Sequence, residues 1–132
     1  MKQCSLDTNI LLRAILNDMP EQSQKITELL DSNDTTFHIA DLAIMETVYV
    51  LQTAYFRTRQ EIVRDLSILF CIRNINCNKN LFEKVFPIFL DHPKLSFADC
   101  CLSIYAELGQ ATPLYTLDHK LASQLNSAKL LS

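Results

Sequence analysis

The stretch Gln3-Cys4-Ser5-Leu6-Asp7-Thr8-Asn9-Ile10-Leu11-Leu12-Arg13-Ala14-Ile15-Leu16 decides the fold. Its first four residues are short and half apolar, and read as a buried strand. Asp7-Thr8-Asn9 is a polar corner. The run from Ile10 to Leu16 is apolar except at Arg13 and reads as a helix. A carboxylate at such a corner stands at the carboxyl end of a strand, where open α/β sheets bind ligands. The plain alternative is that Asp7 only caps the helix. The functional reading rests on three more acids that the chain can bring to similar corners.

Working outward, Asn17-Asp18-Met19-Pro20 breaks the chain, and Pro20 suits the first turn of a second helix reaching about residue 31. Thr35-Thr36-Phe37-His38-Ile39-Ala40 reads as a second strand. Asp41 is expected to cap a third helix over 42–55, which carries Glu46 among apolar residues. The helical neighbours of Glu46 are Leu42, Ala43, Tyr49 and Val50. A carboxylate so placed needs a cation or hydrogen-bond partners if buried. Otherwise it lies on an exposed helix edge.

A fourth helix over 58–72 has Ile62, Leu66 and Leu69 on its core face, and 74–77 is a connector or short third strand. A fifth helix over 79–90 carries Phe82, Val85, Phe86 and Phe89, a stripe suited to a core or a subunit contact. Pro87 is expected to kink or end it early. Ser96-Phe97-Ala98-Asp99 opens the next helix, which stops at Gly109. Ser96 and Asp99 match a capping box, which gives Asp99 a purely structural alternative. Residues 113–117 read as a strand, and Asp118 heads a helix over 119–125, repeating the layout around Asp7. Lys129-Leu130-Leu131 is a last edge strand. Strands alternating with helices indicate an α/β fold with a parallel sheet, in one domain spanning 1–132.

Composition narrows the chemistry. The single Gly leaves neither a Walker A nor a GxGxxG phosphate loop, which removes most support for nucleotide-binding readings. A net charge of −3 counts mildly against a simple nucleic-acid binder. It suits an enzyme that holds phosphates through metal ions on carboxylates. The five cysteines include no metal-binding spacing; most are expected to be small buried apolar residues, in a reducing, cytoplasmic setting. His38, His92 and His119 have no partner at zinc spacing. No signal peptide is visible, and no apolar run reaches the roughly 18 residues needed to span a bilayer.

Asp7 and Asp118 each follow a strand and precede a helix; in a parallel sheet such corners share one edge. Asp99 opens the helix leading to the strand before Asp118, and Glu46 lies one turn inside a helix that follows a strand. Four clustered carboxylates do not all stay ionised without cations. Oxygen-only ligation favours Mg²⁺ or Mn²⁺, and the matching chemistry is metal-assisted attack of water on a phosphodiester.

Leu6-Asp7-Thr8-Asn9, Met45-Glu46, Phe97-Ala98-Asp99 and Thr116-Leu117-Asp118 resemble the four acidic motifs of PIN-domain ribonucleases, in order and spacing, over nearly the whole chain. The length resembles the toxin subunits of VapBC-type toxin–antitoxin pairs. The resemblance implies a three-layer α/β/α fold with a central, mainly parallel sheet, and Mg²⁺- or Mn²⁺-dependent RNA endonuclease activity. It implies metal-holding or water-activating roles for Asp7, Glu46, Asp99 and Asp118, with Asn9 and Thr116 as supporting polar groups. It also implies a homodimer and a small antitoxin protein whose tail covers the active site. His119, directly after Asp118, departs mildly from the pattern.

Two further features come from the residues themselves. Asn9, Arg13 and Asn17 form one polar stripe on the first helix, so Arg13 either pairs with Asp7 or Glu46, faces the scissile phosphate, or sits on an exposed edge. Asp99, Ser103 and Glu107 form a similar stripe, which places Ser103 to donate to a ligating carboxylate. The rival from another class is a non-catalytic PIN-like module that binds RNA or a protein. A phosphoaspartate receiver fits less well, because Asp7 follows Ser5-Leu6 and the adjacent acidic pair of receivers is missing.

Overall fold

In the computed structural model, which describes residues 1–131, helices alternate with strands and every strand ladder is parallel. This is the α/β class with parallel strands expected of a three-layer α/β/α PIN-like fold. The chain forms two compact units, Met1–Asn78 and Lys79–Ser132.

The first unit holds β1 (Lys2–Ser5), α1 (Thr8–Leu16), α2 (Pro20–Leu30), β2 (Thr35–His38), α3 (Asp41–Thr53), α4 (Arg59–Phe70) and β3 (Ile75–Asn76). The sheet order is β1-β2-β3, with Cys4 opposite Phe37 and Phe37 opposite Ile75. Phe37, Leu11, Ile44, Val48, Leu51, Ile62 and Leu66 are fully buried and form this unit's core. β1 is not the buried strand its sequence suggests, since all four residues are exposed. Among the described residues it is the edge of its sheet, hydrogen-bonded to β2 alone, and its side chains are polar except Cys4. Burial begins at Leu6, just before the corner.

Asp41 does not cap α3. Ala40 takes the N-cap position, and the Asp41 carboxylate accepts instead from the Asn78 side-chain amide at 3.1 Å. α4 has a full capping box: Thr58 Oγ1 accepts from the Glu61 amide, and the Glu61 carboxylate accepts from the Thr58 amide. The Thr58 amide, then its hydroxyl, holds the Glu61 pKa below the ordinary glutamate value, with a smaller contribution from Arg57. A depressed folded-state pKa stabilises the fold above the unfolded value, and that stability is lost as pH falls through the folded one. Glu61→Gln keeps a neutral acceptor, so wild type is expected to melt higher near pH 7. In thermal melts the gap should close once the pH is below the depressed value; a gap constant with pH would contradict this.

The second unit holds α5 (Lys79–Asp91), α6 (Phe97–Leu108), β4 (Leu114–Thr116), α7 (His119–Gln124) and β5 (Ala128–Leu130), with β4 and β5 paired in parallel. α5 does not end at Pro87 but runs on to Asp91. A proline removes one backbone donor and crowds the preceding turn. Here packing against α6 outweighs it, because Phe82, Val85, Phe86 and Phe89 flank the proline and are all buried. Phe97 at the start of α6 stacks on Phe82 at 6.0 Å and meets Phe89 edge-on at 5.0 Å. The phenylalanine stripe is thus core.

Of the five cysteines only Cys100 and Cys101 are buried; Cys4 and Cys71 are exposed and Cys77 is intermediate. Exposure of Cys4 follows from its place on the edge strand, and that of Cys71 from its place at the end of α4. Among the described residues no helix is long and apolar enough to cross a membrane.

Candidate active site

In the first unit Asp7 takes the capping role at the corner between β1 and α1. Asp7 is extended (φ −91°, ψ 175°) and caps α1, its Oδ1 accepting from the Ile10 amide at 3.0 Å. That leaves Asp7 exposed at the positive end of a helix dipole, which favours negative charge.

Glu46 is brought to the same turn by helix packing. α3 buries Ala43, Ile44, Thr47, Val48 and Leu51, and α1 packs against it. Glu46 lies on the exposed border of that face. It is therefore the exposed-edge alternative that holds for burial, yet the carboxylate is not idle. Thr8 Oγ1, on the first residue of α1, donates to Glu46 Oε2 at 3.0 Å. The first and second acidic motifs thus meet on one helix turn. Thr8 has no signal in local spacing, since its partner is 38 residues away. Its only flag is its place between Asp7 and Asn9; Asn9 itself is exposed on that first turn.

Arg13 serves neither acid. Its guanidinium donates to Asp18 Oδ1 at 2.7 Å and to the Tyr55 hydroxyl at 3.1 Å. The Tyr55 hydroxyl raises the Arg13 pKa above the ordinary arginine value, against burial and with help from Asp18. Arg13 therefore ties the last turn of α1 to the residues just beyond α3.

In the second unit Asp99 is half-buried in the first turn of α6. Ser96 Oγ accepts from the Asp99 amide at 3.0 Å, so the cap uses the backbone of Asp99. Asp118 caps α7, its Oδ1 accepting from the Lys120 amide at 2.8 Å. Thr116 Oγ1 accepts from the Asp118 amide at 2.9 Å, which fixes the turn that presents the carboxylate. Thr116 thus acts on Asp118 through the backbone. Ser103 does not reach a carboxylate: it is buried and shares a 2.7 Å hydrogen bond with the Ser127 hydroxyl.

In the first unit a threonine hydroxyl thus holds the Glu46 carboxylate, and in the second a serine and a threonine hydroxyl fix the turns of Asp99 and Asp118. Among the described residues, no group of three or more His, Cys, Asp or Glu side chains is placed to hold an ion. The donor chemistry still fits a hard cation: all candidate donors are carboxylate oxygens, and Mg²⁺ is commonly held by one or two carboxylates, keeping several waters. Asp7 and Glu46 are two carboxylates held at one helix turn, each with one oxygen committed to the protein.

A model of the PIN domain family matches residues 5–124. No curated protein matches the chain. Among solved structures the chain is similar to one described as the crystal structure of VapBC2 from Rickettsia felis bound to a DNA fragment from their promoter. The likeness covers 98% of this chain and 97% of that one, at 16% identity and a TM-score of 0.41, too low to add to the family match.

Proposed function

The chain belongs to the PIN domain family, and from that premise we propose that it is a metal-dependent endoribonuclease, the toxin of a toxin–antitoxin pair. Asp7, Glu46, Asp99 and Asp118 are the residues proposed to hold Mg²⁺ or Mn²⁺ and to activate water. The observation that carries the reading is the Thr8–Glu46 hydrogen bond, which brings the second acidic motif to the helix turn that Asp7 caps. A bound divalent ion would supply Lewis acidity toward the phosphodiester and make its bound water more acidic.

The chain's own groups would do the rest. Asp7 and Glu46 present carboxylate oxygens at the positive end of α1. Thr116 holds the turn of Asp118, and Ser96 the turn of Asp99. Asn9 supplies an exposed amide beside Asp7. Arg13 supports the site by bracing α1. One family model running across both units supports a single PIN domain. The further parts of the proposal are an RNA substrate, a small antitoxin partner, a homodimer and a cytoplasmic location.

Purified protein, free of antitoxin, is expected to cut RNA in Mg²⁺ or Mn²⁺, to stop in EDTA and to resume when either ion is returned in excess. Cleavage that continues in EDTA would sink the metal-dependent reading.

A further inference from the structure

We propose that Thr8 is a positioning residue: its hydroxyl aims the Glu46 carboxylate before any ion arrives. This rests on the metal-holding role proposed for Glu46. An exposed glutamate side chain samples many rotamers, and an ion that recruits it has to freeze them. Here two constraints already act. The buried residues of α3 fix where the backbone of Glu46 stands against α1. The 3.0 Å bond from Thr8 Oγ1 then fixes the carboxylate itself.

The remaining contacts fit that role. Thr8 is half-buried, and its β-branch restricts χ1 to few rotamers, which narrows where the hydroxyl can point. At the far end of the same two helices, Arg13 donates to the Tyr55 hydroxyl at 3.1 Å, so a second tie resists sliding of α1 along α3. The Thr8 bond uses Oε2 of Glu46, and the Ile10 amide uses Oδ1 of Asp7. Oε1 and Oδ2 are left for an ion. Hydrogen bonds of this kind, made to a ligating group by a residue that does not ligate, orient the ligand, and their loss typically costs about 10–100-fold in metal affinity.

The test is Mn²⁺ binding to the full-length, RNA-free protein, measured by electron paramagnetic resonance and calorimetry, with melting temperatures recorded alongside. Thr8→Val keeps the side chain's shape and removes the donor; Thr8→Ser keeps the donor. Thr8→Val is expected to weaken Mn²⁺ binding about tenfold or more, with Thr8→Ser close to wild type. In a Glu46→Gln background, Thr8→Val is expected to add nothing, because the two residues act as one unit. The proposal is overturned if Thr8→Val binds Mn²⁺ like wild type while Glu46→Gln does not; the metal-holding role of Glu46 then survives without it. Equal losses in Thr8→Val and Thr8→Ser, or additive losses with Glu46→Gln, would also overturn it, making Thr8 a packing residue. If Glu46→Gln itself binds Mn²⁺ normally, the metal role of Glu46 falls and this proposal falls with it.

Discussion

Asp99→Asn is expected to abolish RNA cleavage and, in a growing cell, any toxicity, while RNA affinity stays level or rises. The substitution is nearly isosteric, and the Ser96 cap uses the Asp99 amide, so the start of α6 survives. What is lost is one carboxylate charge. Its favourable interaction with the helix N-terminus is worth about 0.3–1 kcal/mol, a small cost in stability. The chemical step should lose far more, roughly a hundredfold at least, the order lost when one preorganised electrostatic group is removed from an active site. Affinity should not follow, because nucleic-acid binding is carried largely by Lys and Arg on phosphates. Removing a negative charge also eases the approach of a polyanion to a chain of net charge −3. Gel-based cleavage and filter binding on the same preparations separate the two effects. Equal cleavage by both proteins would place the chemistry elsewhere or in a contaminant. Binding by both with cleavage by neither would favour the non-catalytic module.

Asp7→Ala and Asp7→Asn are expected to part company. Asp7 caps α1 through the Ile10 amide. Alanine removes the acceptor, a loss of about 0.5–2 kcal/mol, whereas asparagine caps about as well as aspartate. At roughly 2–8 °C per kcal/mol, the alanine variant should melt several degrees lower. The asparagine variant should hold or gain, since mutual repulsion with Glu46 is relieved. Both should lose metal binding, because neither carries the charged oxygen pair. Calorimetric melts with and without Mn²⁺ read both properties. A large drop for Asp7→Asn, with metal binding intact, would make Asp7 a structural cap alone.

Local signals were legible where three of them coincide. At Asp7 and at Asp118 a strand pattern, a capping residue and a helix pattern fall in immediate succession, and each corner forms. The helix over 58–72 reads from its apolar face, and α4 forms there on a capping box of Thr58 and Glu61. Helix spacing, however, names only neighbours three or four residues away. It therefore does not reveal that Arg13 turns to Asp18 and Tyr55, or that Thr8 reaches Glu46 across 38 residues. Propensity misleads at Pro87 because it prices the backbone and not the aromatic packing around it. It misleads at Asp41 because a distant side chain, Asn78, competes for the carboxylate. β1 reads as buried because Cys4 and Leu6 alternate with polar residues; its place at the sheet edge is a property of topology.

The burial of Cys100 and Cys101, directly after Asp99 on α6, has a consequence for how the chain can be watched at work. An alkylating reagent meets Cys4 and Cys71 in the native state but reaches these two only through transient opening of their helix. Their modification rate is thus a clock for local opening. It reads the free energy that keeps Asp99 in place, from inside the helix that carries it and without an introduced probe.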